Sequence, residues 1–311
     1  MGRPVVIVGS RASNLAKAQV REVLAPLRKQ FPDVVFRQRV VLEGGDKDRR
    51  TPTLAEVAKT AGGSAFSTNQ ERALLDGEVD VIVHSLKDLP TASPEGLMLL
   101  TTPGPRADAR DVLCGHTLES LPAGARVGTG APRRTAQLLA LRPDLDVVPI
   151  RGNVPGRVAR IKGPGAVDAV VLAAAGLHRL GLSDQISQYL DPTVYPPSPG
   201  QGALGIQVRA DSEAAELLSG IGDVTVDSAV RAERALLADL HGGCSVPVGA
   251  YAEPRPDGTL HLTAAVTDID GSRQITATGT GPADEPDKLG RAVAAELLAK
   301  GAEAILAAIR A

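Results

Sequence analysis

Cysteine is nearly absent from this chain, with two copies in 311 residues. Two thiols do not make a disulfide framework. Tryptophan is missing and aromatic residues make up only 2% of the sequence, which excludes the stacked-ring platforms that hold single-stranded nucleic acids. A net charge of −2 also argues against a general nucleic-acid binder. No apolar stretch approaches the roughly 18 residues of a membrane span. The opening residues, Met1-Gly2-Arg3-Pro4-Val5-Val6-Ile7-Val8, enter a strand at once and lack the apolar run and cleavage site of a signal peptide. The expectation is a reducing, cytoplasmic protein with no nucleic-acid or membrane partner.

With so few rings, the core must be built from Val, Leu, Ile and Ala. The length allows two or three domains of about 100–200 residues each. Strand-like apolar runs at residues 5–9, 34–42, 79–83 and 97–102 alternate with a helical stretch at 14–30, for which Ser13 is a candidate cap. A second unit repeats the alternation, with strands at 125–128, 147–150 and 167–173. Pro132 suits the first position of a helix that ends near Leu141, and another helix starts near Val154. Such βαβ alternation predicts parallel sheets covered by helices on both faces. Pro90 predicts a loop after the third strand. The rigid connector 195–202 leads into a strand at 203–208 that can return to the first unit.

The last ninety residues change character. A helix at 225–240 is followed by strands at 248–252, 260–266 and 274–280, with hairpin signals at Asp257-Gly258 and Asp270-Gly271. One helix over 286–310 closes the chain. The expected fold is α/β, with two doubly wound domains and a small C-terminal α+β domain carrying a three-stranded antiparallel sheet. The domains are expected at 1–103 with 203–220, at 104–202 and at 221–311.

Polar residues gather just after strand ends, the edge where open α/β sheets bind ligands. Arg11 follows the first strand. Arg133 and Arg134 open a helix after the Thr129-Gly130 turn. Arg151 ends a strand, Arg157 lies one turn into the next helix, and Arg179 follows the last strand of the second unit. Singly, each is an ordinary surface arginine. At one shared structural position they form a cleft for a ligand with many carboxylates or phosphates. Neither a P-loop nor a dinucleotide fingerprint is present, which favours a polycarboxylate over a nucleotide. Asp88 carries the opposite charge in the same cleft. It serves either as an ion-pair partner of the arginines or as the group that stabilises a cationic intermediate. His84 ends a buried strand and reads as structural. No metal-ligand cluster is evident.

Cys114 reads as the end of a short buried strand. Cys244 lies on a turn after Gly242-Gly243, between a helix and a strand. A free cysteine is ordinarily a small buried hydrophobe; on a glycine turn it can also be displayed for covalent chemistry.

Six motifs, in order along essentially the whole chain, resemble the porphobilinogen deaminase (hydroxymethylbilane synthase) family. They are Val83-His84-Ser85-Leu86-Lys87-Asp88-Leu89-Pro90, Val127-Gly128-Thr129-Gly130-Ala131-Pro132-Arg133-Arg134, Ile150-Arg151-Gly152-Asn153-Val154, Ala173-Ala174-Ala175-Gly176-Leu177, Pro199-Gly200-Gln201-Gly202-Ala203 and the segment from Gly242 to Gly249. The resemblance implies two periplasmic-binding-protein-like domains and a third small one. It implies a dipyrromethane cofactor held by Cys244 through a thioether. It also implies stepwise addition of four porphobilinogen molecules through a cationic azafulvene, with loss of ammonia, and release of a linear tetrapyrrole. Asp88 would be the catalytic residue. Lys87, Ser85, Arg133, Arg134, Thr129, Ser13 and Gly130 would hold the cofactor. Arg11, Gln19, Arg151, Arg157, Arg179, Gln201, Phe66 and Lys59 would meet the substrate. The protein would be a monomer with porphobilinogen as its partner and no metal.

Departures from the family pattern occur at 61–70, where the glycine register is shifted, at Pro155-Gly156 within the Arg151–Arg157 motif, and at Gln207, where an acidic residue is common. Three other functions use parts of the same pattern: a paralogue in a specialised pyrrole pathway, a non-catalytic two-lobed anion binder, and a thiol hydrolase. The hydrolase needs a base beside Cys244, and His241 stands off by two glycines with no evident orienting partner.

Overall fold

The computed structural model describes residues 3–43, 67–100, 103–163, 165–241 and 246–310. Two five-stranded sheets are built on one plan. The first contains β1 (Val5–Ser10), β2 (Val35–Val40), β3 (Val81–Ser85), β4 (Leu97–Leu100) and β10 (Leu204–Arg209), in the order β2-β1-β3-β10-β4. The second contains β5 (Asp111–Cys114), β6 (Arg126–Thr129), β7 (Asp146–Pro149), β8 (Ala169–Ala173) and β9 (Ile186–Tyr189), in the order β7-β6-β8-β5-β9. In each, four strands share one direction and the fourth position is filled by an oppositely directed strand that arrives from the other lobe.

Those arriving strands correct the expectation of wholly parallel sheets. β10 pairs antiparallel with β3 and β4, and β5 pairs antiparallel with β8 and β9. The reason is topological, since a chain that crosses between lobes enters the sheet from its ligand-binding edge. The consequence is functional. The start of β5 lies against the end of β8, with Asp111 opposite Ala173, and the start of β10 lies against the end of β3, with Leu204 opposite Ser85. Strand ends and crossing segments thus meet on one edge.

Helix α1 (Asn14–Gln30) starts as expected, with the Ser13 side chain accepting the Ala16 N–H at 3.1 Å. Its buried residues Ala16, Gln19, Val20, Val23, Leu24 and Leu27 recur at helical spacing and cover the first sheet. Helix α2 (Thr68–Leu75) supports β3 and β10. The expected loop after β3 is a 3-10 turn, Leu86–Asp88, closed by the Leu89 N–H on the Leu86 carbonyl at 3.1 Å. Pro90 does end it, because helical geometry is disfavoured at Leu89. In the second lobe, α3 (Pro132–Leu141), α4 (Val154–Val158) and α5 (Ala174–Arg179) follow β6, β7 and β8. Helix α6 (Glu213–Leu218) follows β10.

The C-terminal unit opens with α7 (Val224–Asp239), capped by Asp223. Strands β11 (Val248–Pro254), β12 (Thr259–Thr267) and β13 (Gln274–Pro282) form the expected antiparallel sheet. The single closing helix divides into α8 (Pro286–Ala299) and α9 (Ala302–Arg310). Gly301 adopts φ +95° between them, a conformation an α-helix cannot continue through. Leu260, Leu262, Val266, Leu297 and Leu306 fill this core, each with at most a trace of exposure. No helix among the described residues is long and apolar enough to cross a membrane.

Candidate functional site

Between the two lobes lies a cleft of about 90 Å³ lined by Gln19, Ser85, Lys87, Arg134, Arg157, Arg179 and Gln201, over Leu15, Val154, Leu172 and Ala175. A lining that combines apolar surface with cations suits a flat ring that carries carboxylates. The polar members come from strand ends, from helices that flank them and from a crossing segment.

The cations are organised by a residue that the sequence reading missed. Asp111 opens β5 and is fully buried. One carboxylate oxygen accepts Arg134 Nε and Nη2 at 3.0 and 2.8 Å, and the other accepts Arg133 Nη2 at 2.6 Å. Gln201 Nε2 adds a bond at 2.9 Å. Burial alone pushes the Asp111 carboxyl up, but the two guanidinium groups and these hydrogen bonds outweigh it and hold it well below the usual carboxylate range. The signal in the sequence was an acid opening the apolar run Asp111-Val112-Leu113-Cys114, and such an acid must find cations.

Arg133 therefore differs from the expected cleft arginine. Its Nη1 donates to the Pro196 carbonyl at 3.1 Å and its Nη2 is held by Asp111, so it braces the second crossing segment from inside the protein. Arg134 reaches the cleft wall while still paired. Gly130 is required by close packing, since a Cβ there would stand 2.7 Å from the Ile150 carbonyl oxygen. Thr129 accepts the Ala131 N–H at 3.3 Å and so shapes the same turn.

Lys87 donates to Gln201 Oε1 at 3.2 Å. Burial and the neighbouring Arg134 lower its ammonium to about 8, against partial compensation by Asp88 and Asp111. Arg157 shows the same strain. Burial first, then Arg134 and Arg151, lower it to about 10, and Asp88 opposes the shift. Its Nε donates to the Gly152 carbonyl at 2.9 Å, and no carboxylate among the described residues pairs with it. Positive groups that depress one another are an electrostatic demand for an anion.

Asp88 stands at the end of the 3-10 turn, half-buried, with no hydrogen bond or ion pair among the described residues. Its charge reaches Lys87 and Arg157. The turn itself is fixed. The Leu86 N–H donates to the Ala203 carbonyl at 3.1 Å, and Arg234 of α7 donates to the carbonyls of Leu89, Pro90 and Thr91. Among the described residues, the ion pairs with Arg133 and Arg134 are made by Asp111 and none by Asp88.

Gln19 donates to Ser85 Oγ at 2.7 Å, placing both on the cleft wall. Arg179 reaches the cleft while bound to Glu22 of α1. Arg11 acts on Glu43 and His84 through its charge, and Arg151 acts on Arg157. Ser13 is engaged as the α1 cap. His84 is buried, with Nε2 3.0 Å from Gln207 Oε1, and burial lowers it to about 4, in keeping with a structural role. Cys244, Lys59 and Phe66 lie outside the described residues. Cys114 is fully buried, and burial pushes its thiol up to about 11.

A second buried carboxylate was also missed. Glu233 of α7 accepts Arg106 Nη1 and Nη2 at 2.8 and 3.0 Å, the Gly200 N–H at 2.7 Å and the Ala252 N–H at 2.8 Å. It ties the C-terminal unit to both crossing segments. Its position on the apolar stripe Val226, Ala229, Val230, Leu236 was the available signal. Among the described residues, no group of three or more His, Cys, Asp or Glu could hold a metal ion.

Residues 6–217 match the family model described as porphobilinogen deaminase, dipyromethane cofactor binding domain, and residues 228–299 match that of the porphobilinogen deaminase C-terminal domain. The porphobilinogen deaminase of Desulforudis audaxviator is 46% identical over 99% of this chain and 99% of its own. That of Thermus thermophilus is 44% identical over 98% of this chain and 99% of its own. Among solved structures, the alkanesulfonate-binding protein SsuA from Xanthomonas axonopodis pv. citri aligns with 76% of this chain and 75% of its own, at 16% identity and a TM-score of 0.38. With both family models matched in order and relatives aligned from end to end, the chain belongs to the porphobilinogen deaminase family.

Proposed function

We propose that this protein is a hydroxymethylbilane synthase that condenses four porphobilinogen molecules head to tail, with loss of ammonia, and releases the linear tetrapyrrole by hydrolysis. The observation that carries the proposal is Asp88, a carboxylate with no ion pair among the described residues, set within electrostatic reach of Lys87 and Arg157. Each porphobilinogen brings an acetate, a propionate and a pyrrole N–H. The cleft's donors fit the two carboxylates, and Asp88 fits the N–H.

A dipyrromethane has the same side chains, so the same donors fit it: Lys87, Ser85 and Arg134 would hold it, with Arg133, Thr129, Gly130 and Ser13 shaping the turns behind them. When bound, it supplies the pyrrole carbon on which the chain starts. Cys244 is the attachment residue in this reading. The burial and raised thiol of Cys114 support that choice, because the thiolate is the nucleophile and Cys114 does not form one near neutrality.

Arg11, Gln19, Arg151, Arg157, Arg179 and Gln201 receive the substrate, with Lys59 and Phe66 from the segment outside the described residues. Asp88 stabilises the cation that forms on the pyrrole as the C–N bond to ammonia breaks. Preorganised charge aimed at a developing cation lowers the barrier most where water is excluded. The three domains divide at 1–103 with 203–220, 104–202 and 221–311, and the protein works as a cytoplasmic monomer.

The test is the intact mass of protein purified from cells that make porphobilinogen. The expected mass exceeds that of the chain by two linked pyrrole units, and acid Ehrlich reagent colours the protein. Cys244→Ser abolishes the addition and Cys114→Ser leaves it. A bare chain mass overturns the covalent cofactor.

A further inference from the structure

Glu22 and Arg179 are 157 residues apart and belong to different lobes. Glu22 lies on α1 against the first sheet, and Arg179 ends α5 after the second. Arg179 Nε donates to Glu22 Oε2 at 2.7 Å, and Nη2 donates to Oε1 at 3.1 Å. Nη2 also donates to the Gly202 carbonyl at 3.0 Å, on the second crossing segment. Three N–H groups are thus spent, and among the described residues Nη1 makes no hydrogen bond. The Arg179 side chain is 8% exposed, yet it lines the cleft, whereas Glu22 is 43% exposed.

A guanidinium held by its Nε–Nη2 edge cannot swing. Leu15 approaches the backbone of α5 near Gly176, so the helices that carry the pair are themselves packed. An arginine without this anchor must lose side-chain entropy each time it binds a carboxylate, which weakens ground-state binding and leaves chemistry at a distant atom alone.

We infer that Glu22 is a positioning residue for substrate binding. Together with the Gly202 carbonyl it fixes Arg179 across the lobe boundary and leaves Nη1 as the donor for a carboxylate of the incoming pyrrole. This inference rests on the proposed deaminase function. It assigns no chemical step to Glu22.

The test is steady-state turnover of porphobilinogen by the full-length, cofactor-loaded protein and its variants. Glu22→Ala is expected to raise KM about three- to fivefold, the scale of a partly exposed ion pair. The kcat should stay within about twofold, because the lost interaction is already made in the ground state, and the intact mass should be unaltered. Glu22→Gln, which keeps an acceptor oxygen, should fall between. In an Arg179→Gln background, Glu22→Ala should add nothing to KM. An unchanged KM in Glu22→Ala overturns the inference. So does a lowered KM, which would make Glu22 a competitor of the substrate, or an equal rise in the Arg179→Gln background. Absence of turnover in the unaltered protein overturns the deaminase function, and the inference with it.

Discussion

Asp111 and Arg134 meet inside the protein with both Nε and Nη2 of the arginine on one carboxylate oxygen, at 3.0 and 2.8 Å. Asp88, at the end of the 3-10 turn after β3 in the other lobe, has no such partner among the described residues. Two aspartates, one from each lobe, thus stand in opposite electrostatic settings. Asp111 neutralises two of the protein's own cations, and Asp88 makes no ion pair among the described residues.

Asp111→Asn keeps the shape but leaves Arg133 and Arg134 buried without their counter-charge. Breaking a buried pair on one side costs about 3–5 kcal/mol. Denaturant unfolding should show that loss. A change below about 1 kcal/mol, the scale of an ordinary surface substitution, would mean that water or another carboxylate already serves the arginines.

Asp88→Asn should behave differently. The variant should fold and carry its cofactor by intact mass, with turnover reduced about 10²–10³-fold, as when one preorganised electrostatic group is lost. Asp88→Glu keeps the charge, displaced, and should lie between. Normal turnover by Asp88→Asn would remove the central residue of the proposed mechanism.

Lys87 sets an alkaline limit. Its ammonium is lowered to about 8, mainly by burial, so it loses its proton as pH rises through that value. Only the protonated form attracts a carboxylate. The rate at which cofactor-free protein gains its two pyrrole units should therefore fall above about pH 8, approaching tenfold per pH unit. A guanidinium stays charged across this window, so the fall attributable to position 87 should vanish in Lys87→Arg. A decline that persists unchanged in that variant would assign it elsewhere.

His84 sets an acid limit on stability. Its folded-state value of about 4 lies below the ordinary 6.5. Between those values the unfolded chain binds more protons, so stability is lost as pH falls from about 6.5 to about 4, by roughly 1.4 kcal/mol per unit at most. His84→Leu should be less stable at pH 7, because Gln207 loses its partner, yet its stability should vary less over this range. Equal acid slopes in the two proteins would clear His84 of the effect.

Much of the fold was written locally. The helical spacing of Ala16, Val20, Val23 and Leu27, the apolar run at Val81, Ile82 and Val83, and the hairpin turns at Asp257-Gly258 and Asp270-Gly271 each act within a few residues. The strand-end positions of Asp88, Lys87, Arg134 and Arg157 were legible for the same reason, since a strand-to-helix turn is a local event. Antiparallel pairing of β5 and β10 was not legible, because strand direction within a sheet depends on where a chain re-enters after crossing between lobes. The break at Gly301 was missed as well, because the same apolar spacing continues on both sides of it.

What the sequence by itself determined is the inventory: which elements form, which charges stand at their ends, and which family the motifs match. Which of those charges are free to act was decided only by tertiary structure. Arg133, Arg134 and Arg157 look alike along the chain, yet Asp111 neutralises two of them and none of the described carboxylates forms an ion pair with the third. Glu22 and Arg179, or Glu233 and Arg106, carry no mark of each other in sequence. Ion pairing acts over a few ångströms, and chain separation of a hundred residues or more places no limit on it once the lobes are packed.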